Sequence, residues 1–484
     1  MQWMNGRRWL AALAVTGVAA VLAGGCSGVG SADKAGGSGE PVVLELANYA
    51  GGLDQKPAIE YFASQAKQRS GGNLRIQVTD RWGDFTPDVE QQVVRAVAAG
   101  KVDLGWAGAR VFDTMGVTSF QALQAPMLID SYALEQAVAA SDMPGQMLQG
   151  LDKVGVRGLG VLPDGLRKPV AVKHPVLGLG DWRGITFGTL KSAGQAQAIR
   201  SLGATPMEVF RRSRNEALLD GRLQGLEMDL FVYEHGGPVQ PAPYVTANVS
   251  LWPQLDVLFA NPNRLTRLTE QQRGWLQQAA QDAAGGVAAL ADRDAQSLKN
   301  ACQLGARFAT ASPADLAALR SAFAPVYASL ERDPQTKAFI QRIQALKRST
   351  AAEAPLAIPA GCTGRAPEQS AANSGTAPVD LNGTYRYLLT KEDAREGGEA
   401  NLDEFPSVTT VKLQDGRVEG GCFGQGATYS VAGDRITFDT PEYGYSMTFT
   451  FSVDGKGNLH LTPVPPMDKG DAFQCSYKAW TKIG

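Results

Sequence analysis

Neither sign of charge is in surplus in this chain: 46 Lys and Arg stand against 48 Asp and Glu, a formal net charge of -2 over 484 residues. The basic excess that marks a nucleic-acid footprint is lacking. Histidine is scarce, with His174, His235 and His460 scattered. The five cysteines, Cys26, Cys302, Cys362, Cys422 and Cys475, include no Cys-x-x-Cys or His-Cys cluster. Both absences argue against a transition-metal centre, and no cofactor is called for. After the N-terminal segment there is no Gly-x-Ser-x-Gly elbow, His-Glu-x-x-His helix or phosphate-binding loop. That removes the commonest local signatures of enzymes, although a scattered triad would escape the test.

What is present begins with a targeting segment. Arg7 and Arg8 precede an apolar run over 10–23, too short to span a bilayer comfortably as a mature helix. The run ends in Leu22-Ala23-Gly24-Gly25-Cys26, which resembles a bacterial lipobox with Ala23 where leucine is usual. The expectation is a lipoprotein signal peptide over 1–25, lipidation at Cys26, and a Gly/Ser-rich flexible tether over 26–40. The protein would then sit outside the cell membrane, anchored to its outer face. With Cys26 acylated, four cysteines remain in an oxidising compartment. They allow three pairings, of which sequence region favours Cys302 with Cys362 and Cys422 with Cys475.

The stretch 181–229 alternates strand and helix. A β-prone run over 185–187 is broken by Gly188, 192–202 is helix-compatible, 207–210 is a second strand, and 215–219 a short helix stopped by Gly221. The same rhythm occupies 42–107, with strands over 42–48, 74–79 and 102–107 and helices over 58–69 and 88–99. Each unit implies a parallel α/β sheet whose strand ends open on a crevice, the usual place for a small ligand. Asn48, Trp82, Trp106 and Arg110 fall at or just past strand ends. A strand-like 255–259 precedes long helical stretches over 265–295 and 313–346, the second interrupted by Pro325 and Pro334.

The runs 71–84 and 94–103, with Gln124-Ala125-Pro126-Met127-Leu128, Asp181-Trp182-Arg183-Gly184, Leu202-Gly203-Ala204-Thr205-Pro206 and Gly225-Leu226-Glu227, come in the order and spacing of a known family. The chain resembles the substrate-binding proteins of TRAP transporters, the DctP family, over about 41–347. The resemblance implies two α/β lobes closing over an organic acid, handed to the membrane subunits of a TRAP permease by a monomeric binding protein. It also implies an arginine that clamps the ligand carboxylate, but that position is Gly188, after Phe187, and Met228 replaces an asparagine after Glu227. A second family arginine matches Arg167. Arg110, Arg211 and Arg212 are candidates to supply the missing charge, and Trp82, Trp106, Phe187 and Tyr233 an aromatic wall. The ligand-binding set expected is Asn48, Trp82, Trp106, Arg110, Arg167, Phe187, Gly188, Arg211, Glu227, Met228 and Tyr233. The bland alternatives are core packing for the aromatics and solvated surface for Arg110 and Arg212.

The lobes are expected over about 41–163 with 250–292 and about 164–249 with 293–347. After a linker over 348–380, the segment 381–484 reads as short alternating strands separated by turns such as Gln414-Asp415-Gly416. It suggests a small antiparallel barrel or sandwich, loosely lipocalin-like, with its last strand over 472–483. An extracytoplasmic enzyme, or a binding protein serving a sensor or an ABC permease, is the alternative function.

Overall fold

The computed structural model of the chain describes residues 41–484, less 51–52, 54–55, 85, 237–238, 240, 365–379, 398–405, 425, 441–444 and 465–468. Only the backbone is described at 212, 215–216, 219, 236, 287–288, 397, 445 and 469–472. The N-terminal expectations, Cys26 among them, lie outside the described residues.

Strand β1 (Val42–Ala47) buries Leu44 and Leu46 and turns Val43 and Glu45 outward, the two-residue alternation of a strand covered on one face. It lies between β2 (Leu74–Thr79) and β3 (Leu104–Gly108), parallel to both. The helix Pro57–Arg69 makes the crossover from β1 to β2; Pro57 opens it, and Gly71 and Gly72, both in the left-handed region, turn the chain after it.

The longest element that sequence pattern missed is β4 (Arg157–Ala171), 15 residues long and buried from Leu159 onward. At about 3.3 Å per residue it reaches about 50 Å, enough to run through both halves of the sheet. Buried on both faces, it shows no alternation, and Gly158, Gly160, Pro163 and Gly165 disguise it as loop. Later strands are β5 (Thr186–Thr189), β6 (Thr205–Glu208), β7 (Gly225–Met228), β8 (Tyr244–Thr246), β9 (Trp252–Ala260) and β10 (Arg307–Ala309).

The sheet order is β2-β1-β3-β9-β4-β7-β5-β6, with β10 on β8 and β8 on β4. β9 is antiparallel to both β3 and β4, whereas β5 is parallel to β6 and β7. Two α/β lobes therefore share β4, and the crevice lies beside it. Proline splits the last helical stretch as anticipated, into Pro313–Ala322, Ala324–Leu330 and Pro334–Ser349.

The C-terminal region is all-β. Its strands are β11 (Gly383–Leu389), β12 (Ser407–Gln414), β13 (Arg417–Gly420), β14 (Thr428–Ala432), β15 (Arg435–Thr440), β16 (Tyr445–Val453), β17 (Leu459–Pro463) and β18 (Thr481–Lys482). They form one antiparallel sheet in the order β17-β16-β15-β14-β13-β12-β11-β18. A bridge between Leu459 and Trp480 brings its two edges together into a nearly closed barrel. Asp415 and Gly416, both at positive φ, make the tight β12–β13 turn.

Tyr385, Tyr387, Phe423, Phe438, Phe449 and Trp480 fill the interior. The strand expected over 472–483 is instead the helix Lys469–Ser476 followed by the two-residue β18. Phe473, Cys475 and Tyr477 alternate as a strand would, and so short a run does not separate the two periods. The disulfides are Cys302–Cys362 and Cys422–Cys475.

Candidate functional site

A cleft of about 900 Å³, partly open to solvent, lies between the lobes. The chain leaves β1 at Asn48, and the next residues, Tyr49 and Ala50, reach the cleft. Tyr49 stacks on Trp106 of β3 with ring centroids 4.1 Å apart, and Phe210 of the second lobe lies 6.0 Å from Tyr49. The three rings form an aromatic cluster at the floor of the cleft, with Tyr49 and Trp106 buried against each other and Phe210 half-buried.

Charged groups of the first lobe are paired from behind. Arg110 makes a two-pronged bond to Glu90, at 3.1 Å from Nη1 and 2.5 Å from Nη2. Glu90 also accepts from Tyr49 Oη (2.6 Å) and from the backbone N–H of Gly108 (2.7 Å). Burial pushes the Glu90 carboxyl up, but Arg110 and these donors outweigh it and hold it below the usual range. Lys56 donates to Asp164 (2.6 Å) and Asp256 (3.0 Å) and sits 4.7 Å over the Trp106 ring. Burial opposes the Lys56 charge, yet the two carboxylates raise its pKa overall.

The second lobe supplies Arg167 from β4, whose ion-pair partners are Glu227 and, at 3.1 Å, Asp229. Its Nη2 also donates to the Glu227 carbonyl at 2.8 Å. Glu227 accepts from Thr189 Oγ1 and the Leu190 N–H, both at 3.3 Å. The helix Arg211–Leu219 brings Arg211 and Arg214, one turn apart on one face, to the cleft. Burial brings each guanidinium down to about 10, and repulsion from Arg214 adds to the effect on Arg211. Both stay charged at neutral pH, and an anion placed between them would relieve the repulsion.

The lobes are tied across the cleft. Arg211 donates to the Ala50 carbonyl and Lys191 to Asp88. Asp113 accepts from Ser192 Oγ (2.7 Å) and the Gly194 N–H (2.8 Å) at the start of the helix Ala193–Ser201. The arrangement is a closed clamp with an aromatic floor, paired charges behind it and two adjacent arginines on one wall.

Of the residues anticipated from sequence, Trp106, Arg110, Arg167, Gly188, Arg211, Glu227 and Met228 line this cleft. Asn48, Trp82, Phe187 and Tyr233 are not among its lining residues. Asn48 is buried behind it, donating to Asp80 (2.6 Å) and accepting from Trp106 Nε1 (3.3 Å), so it orients the ring. Trp82 packs half-buried against the first lobe's core. Phe187 is fully buried 4.5 Å from Trp182, and Tyr233, also buried, donates to the Ala242 carbonyl at 2.9 Å. The Arg212 side chain lies outside the described residues.

At Gly188 a Cβ would meet Leu223 at 3.0 Å and Leu226 and Val209 at 3.1 Å, so apolar packing leaves little room for an arginine there. Sequence reasoning missed Tyr49, Lys56, Phe210 and Arg214. The three-residue spacing of Arg211 and Arg214 was the one signal available for the last.

The fold and cleft define a two-lobed solute-binding protein. Residues 52–333, more than half of the chain, match the family model of bacterial extracellular solute-binding protein, family 7, known as DctP. The chain belongs to that family. Protein YiiZ of Salmonella typhimurium is 22% identical over 310 residues, which is 63% of this chain and 92% of that one.

The fold is shared with TRAP periplasmic solute-binding proteins of known structure. One from Anaerococcus prevotii, holding D-glucuronate, has a TM-score of 0.58 at 17% identity and covers 64% of this chain and 99% of its own. Another from a Bradyrhizobium species, holding D-galacturonate, has a TM-score of 0.56 at 22% identity, covering 63% and 100%.

Proposed function

We propose that this protein is a solute-binding lipoprotein, anchored through Cys26 outside the cell membrane, that captures a small carboxylated solute and delivers it to a TRAP permease. The adjacent guanidiniums of Arg211 and Arg214, facing the aromatic floor of Tyr49, Trp106 and Phe210, carry this reading. Guanidinium forks are the side chains best shaped to hold a carboxylate, and they take the role that Gly188 leaves vacant. A ring-shaped sugar acid offers both a carboxylate for the arginines and a face for the rings. The relatives that hold hexuronates support that class.

Arg110 and Arg167 act as supports in this scheme, because their carboxylate partners already engage them. Glu90, Asp164, Glu227 and Asp229 are themselves bonded to cations, which favours binding without chemistry over an extracytoplasmic enzyme.

Thermal unfolding of the protein made with Cys26→Ser, against organic acids, sugar acids and neutral aromatics, tests the proposal. A ligand that binds only the folded state adds about 4 kcal/mol at a thousandfold its Kd. An upward shift with an acid, lost in Arg211→Ala, is expected. Shifts confined to neutral compounds would overturn the acid specificity, and turnover of a panel compound the binding-only role.

A further inference from the structure

Two strands that open on the cleft, β3 in the first lobe and β5 in the second, continue into a seam between the lobes. From β3 the chain enters the short helix Ala109–Met115, where Arg110 lines the cleft and Asp113 lies about one turn further on. From β5, Thr189 and Leu190 line the cleft, and the chain then passes Lys191 and Ser192 into the helix Ala193–Ser201.

Asp113 of the first lobe sits at the start of this second-lobe helix. Its Oδ2 accepts from Ser192 Oγ at 2.7 Å and from the Gly194 N–H at 2.8 Å, and its Oδ1 accepts from the Ala193 N–H at 3.1 Å. A carboxylate set against free N–H groups at the positive end of a helix makes charge-assisted bonds of the strong kind. Gly194 permits the close approach, since a Cβ there would lie only 3.3 Å from Asp113 Oδ2. The helix already has its own cap, because Ser192 Oγ accepts from the Gln195 N–H at 3.1 Å. What Asp113 adds is a tie to the other lobe.

The tie is joined to the cleft without lining it. Buried Gln195 donates to Gln124 of the first lobe at 2.9 Å, and Leu190 donates its N–H to Glu227, which holds Arg167. Lys191 reaches Asp88 nearby, but that acid is exposed, and such surface pairs contribute little.

We propose that the segment 190–194 is a latch, and that its bonds to Asp113 bias the two lobes towards the closed arrangement whether or not a solute is bound. The inference rests on the proposed solute-capture function and deepens it: Asp113 sets how tightly and how long a solute is held, not which solute. Every donor and acceptor in the latch belongs to the chain, so its strength does not depend on what fills the cleft. A solute bound by the closed form gains apparent affinity in proportion to the fraction of protein already closed.

The test uses the full chain with Cys26→Ser in four forms: unchanged, Asp113→Asn, Ser192→Asp and the double variant. Asp113→Asn removes the charge without adding bulk. Ser192→Asp keeps a good cap for the helix but sets a second carboxylate against the first. In the double variant an amide faces a carboxylate, and the latch re-forms. Small-angle X-ray scattering of ligand-free protein should show a larger radius of gyration in both single variants and recovery in the double. Equal radii in the folded single variants would overturn the latch, and Asp113→Asn decides alone if Ser192→Asp does not fold.

With D-glucuronate and D-galacturonate as probes, Asp113→Asn should weaken both about fivefold or more, by the same factor and with faster release. A loss confined to one acid would make Asp113 a solute contact and overturn the latch, as would unchanged affinity for both. If neither acid binds the unchanged protein, the functional reading falls, while ligand-free scattering still decides whether Asp113 holds the lobes together.

Discussion

At the scale of single residues, buried charges behind the cleft govern both stability and the shape of the floor. Glu90 joins Arg110, Tyr49 and the Gly108 N–H, so Glu90→Gln leaves a buried guanidinium without its counter-charge. A loss of about 3–5 kcal/mol is expected in denaturant unfolding at neutral pH. Because the folded-state pKa of Glu90 is depressed, its stabilisation is fully present above the unfolded value of about 4.3 and is lost as pH falls through the folded value.

Asp294 works the other way. Burial pushes its carboxyl up to about 6, against the pull of Lys168 and the Tyr132 hydroxyl. The folded protein then holds a proton that the unfolded chain has released, so stability should fall by on the order of 2–3 kcal/mol as pH rises from about 4 to about 6. In Asp294→Asn that slope should flatten, which denaturant curves at several pH values would reveal. Neither charge stood out in the sequence. Glu90 and Asp294 sit in ordinary amphipathic helices, and their importance comes from partners 20 and 126 residues away, Arg110 and Lys168.

At the scale of elements, alternating local patterns were legible and long buried ones were not. β1, β2 and the helices that follow them announce themselves through periodicity and glycine stops, because one face is wet and the other dry. β4 had no such contrast, and its glycines exist for close packing: a Cβ on Gly165 would lie 2.8 Å from Cβ of Asp229. The candidate site was legible in the same proportion. Residues on β-strands next to family-like motifs were found, whereas Tyr49 and Lys56 reach the cleft from a loop without a pattern.

Trp82, Phe187 and Tyr233 show why aromatic residues were ambiguous, since a core and a pocket want the same side chains. Gly188→Arg, which places an arginine where the family resemblance leads one to expect it, should fail to build the clamp. Leu223, Leu226 and Val209 crowd its Cβ, and an overpacking cost of about 1–3 kcal/mol should lower the melting temperature of ligand-free protein.

At the scale of the whole molecule, an antiparallel barrel follows the DctP-family module, whose family model matches residues 52–333 and whose fold is that of the solved TRAP solute-binding structures. Those structures cover 62–64% of this chain while being themselves almost wholly covered. The barrel was visible in sequence through its turns, but the burial of Thr437 and Asp439 was not, because they look like the solvent side of any strand.

The measurement that bears most directly on solute capture is calorimetric titration of the Cys26→Ser protein with D-glucuronate and with D-glucose, repeated in Arg211→Ala. Binding of the acid but not the neutral sugar, weakened at least about tenfold when the fork is removed, is the expected result. Equal binding of both sugars, or acid binding untouched by Arg211→Ala, would contradict a cleft built to hold a carboxylate.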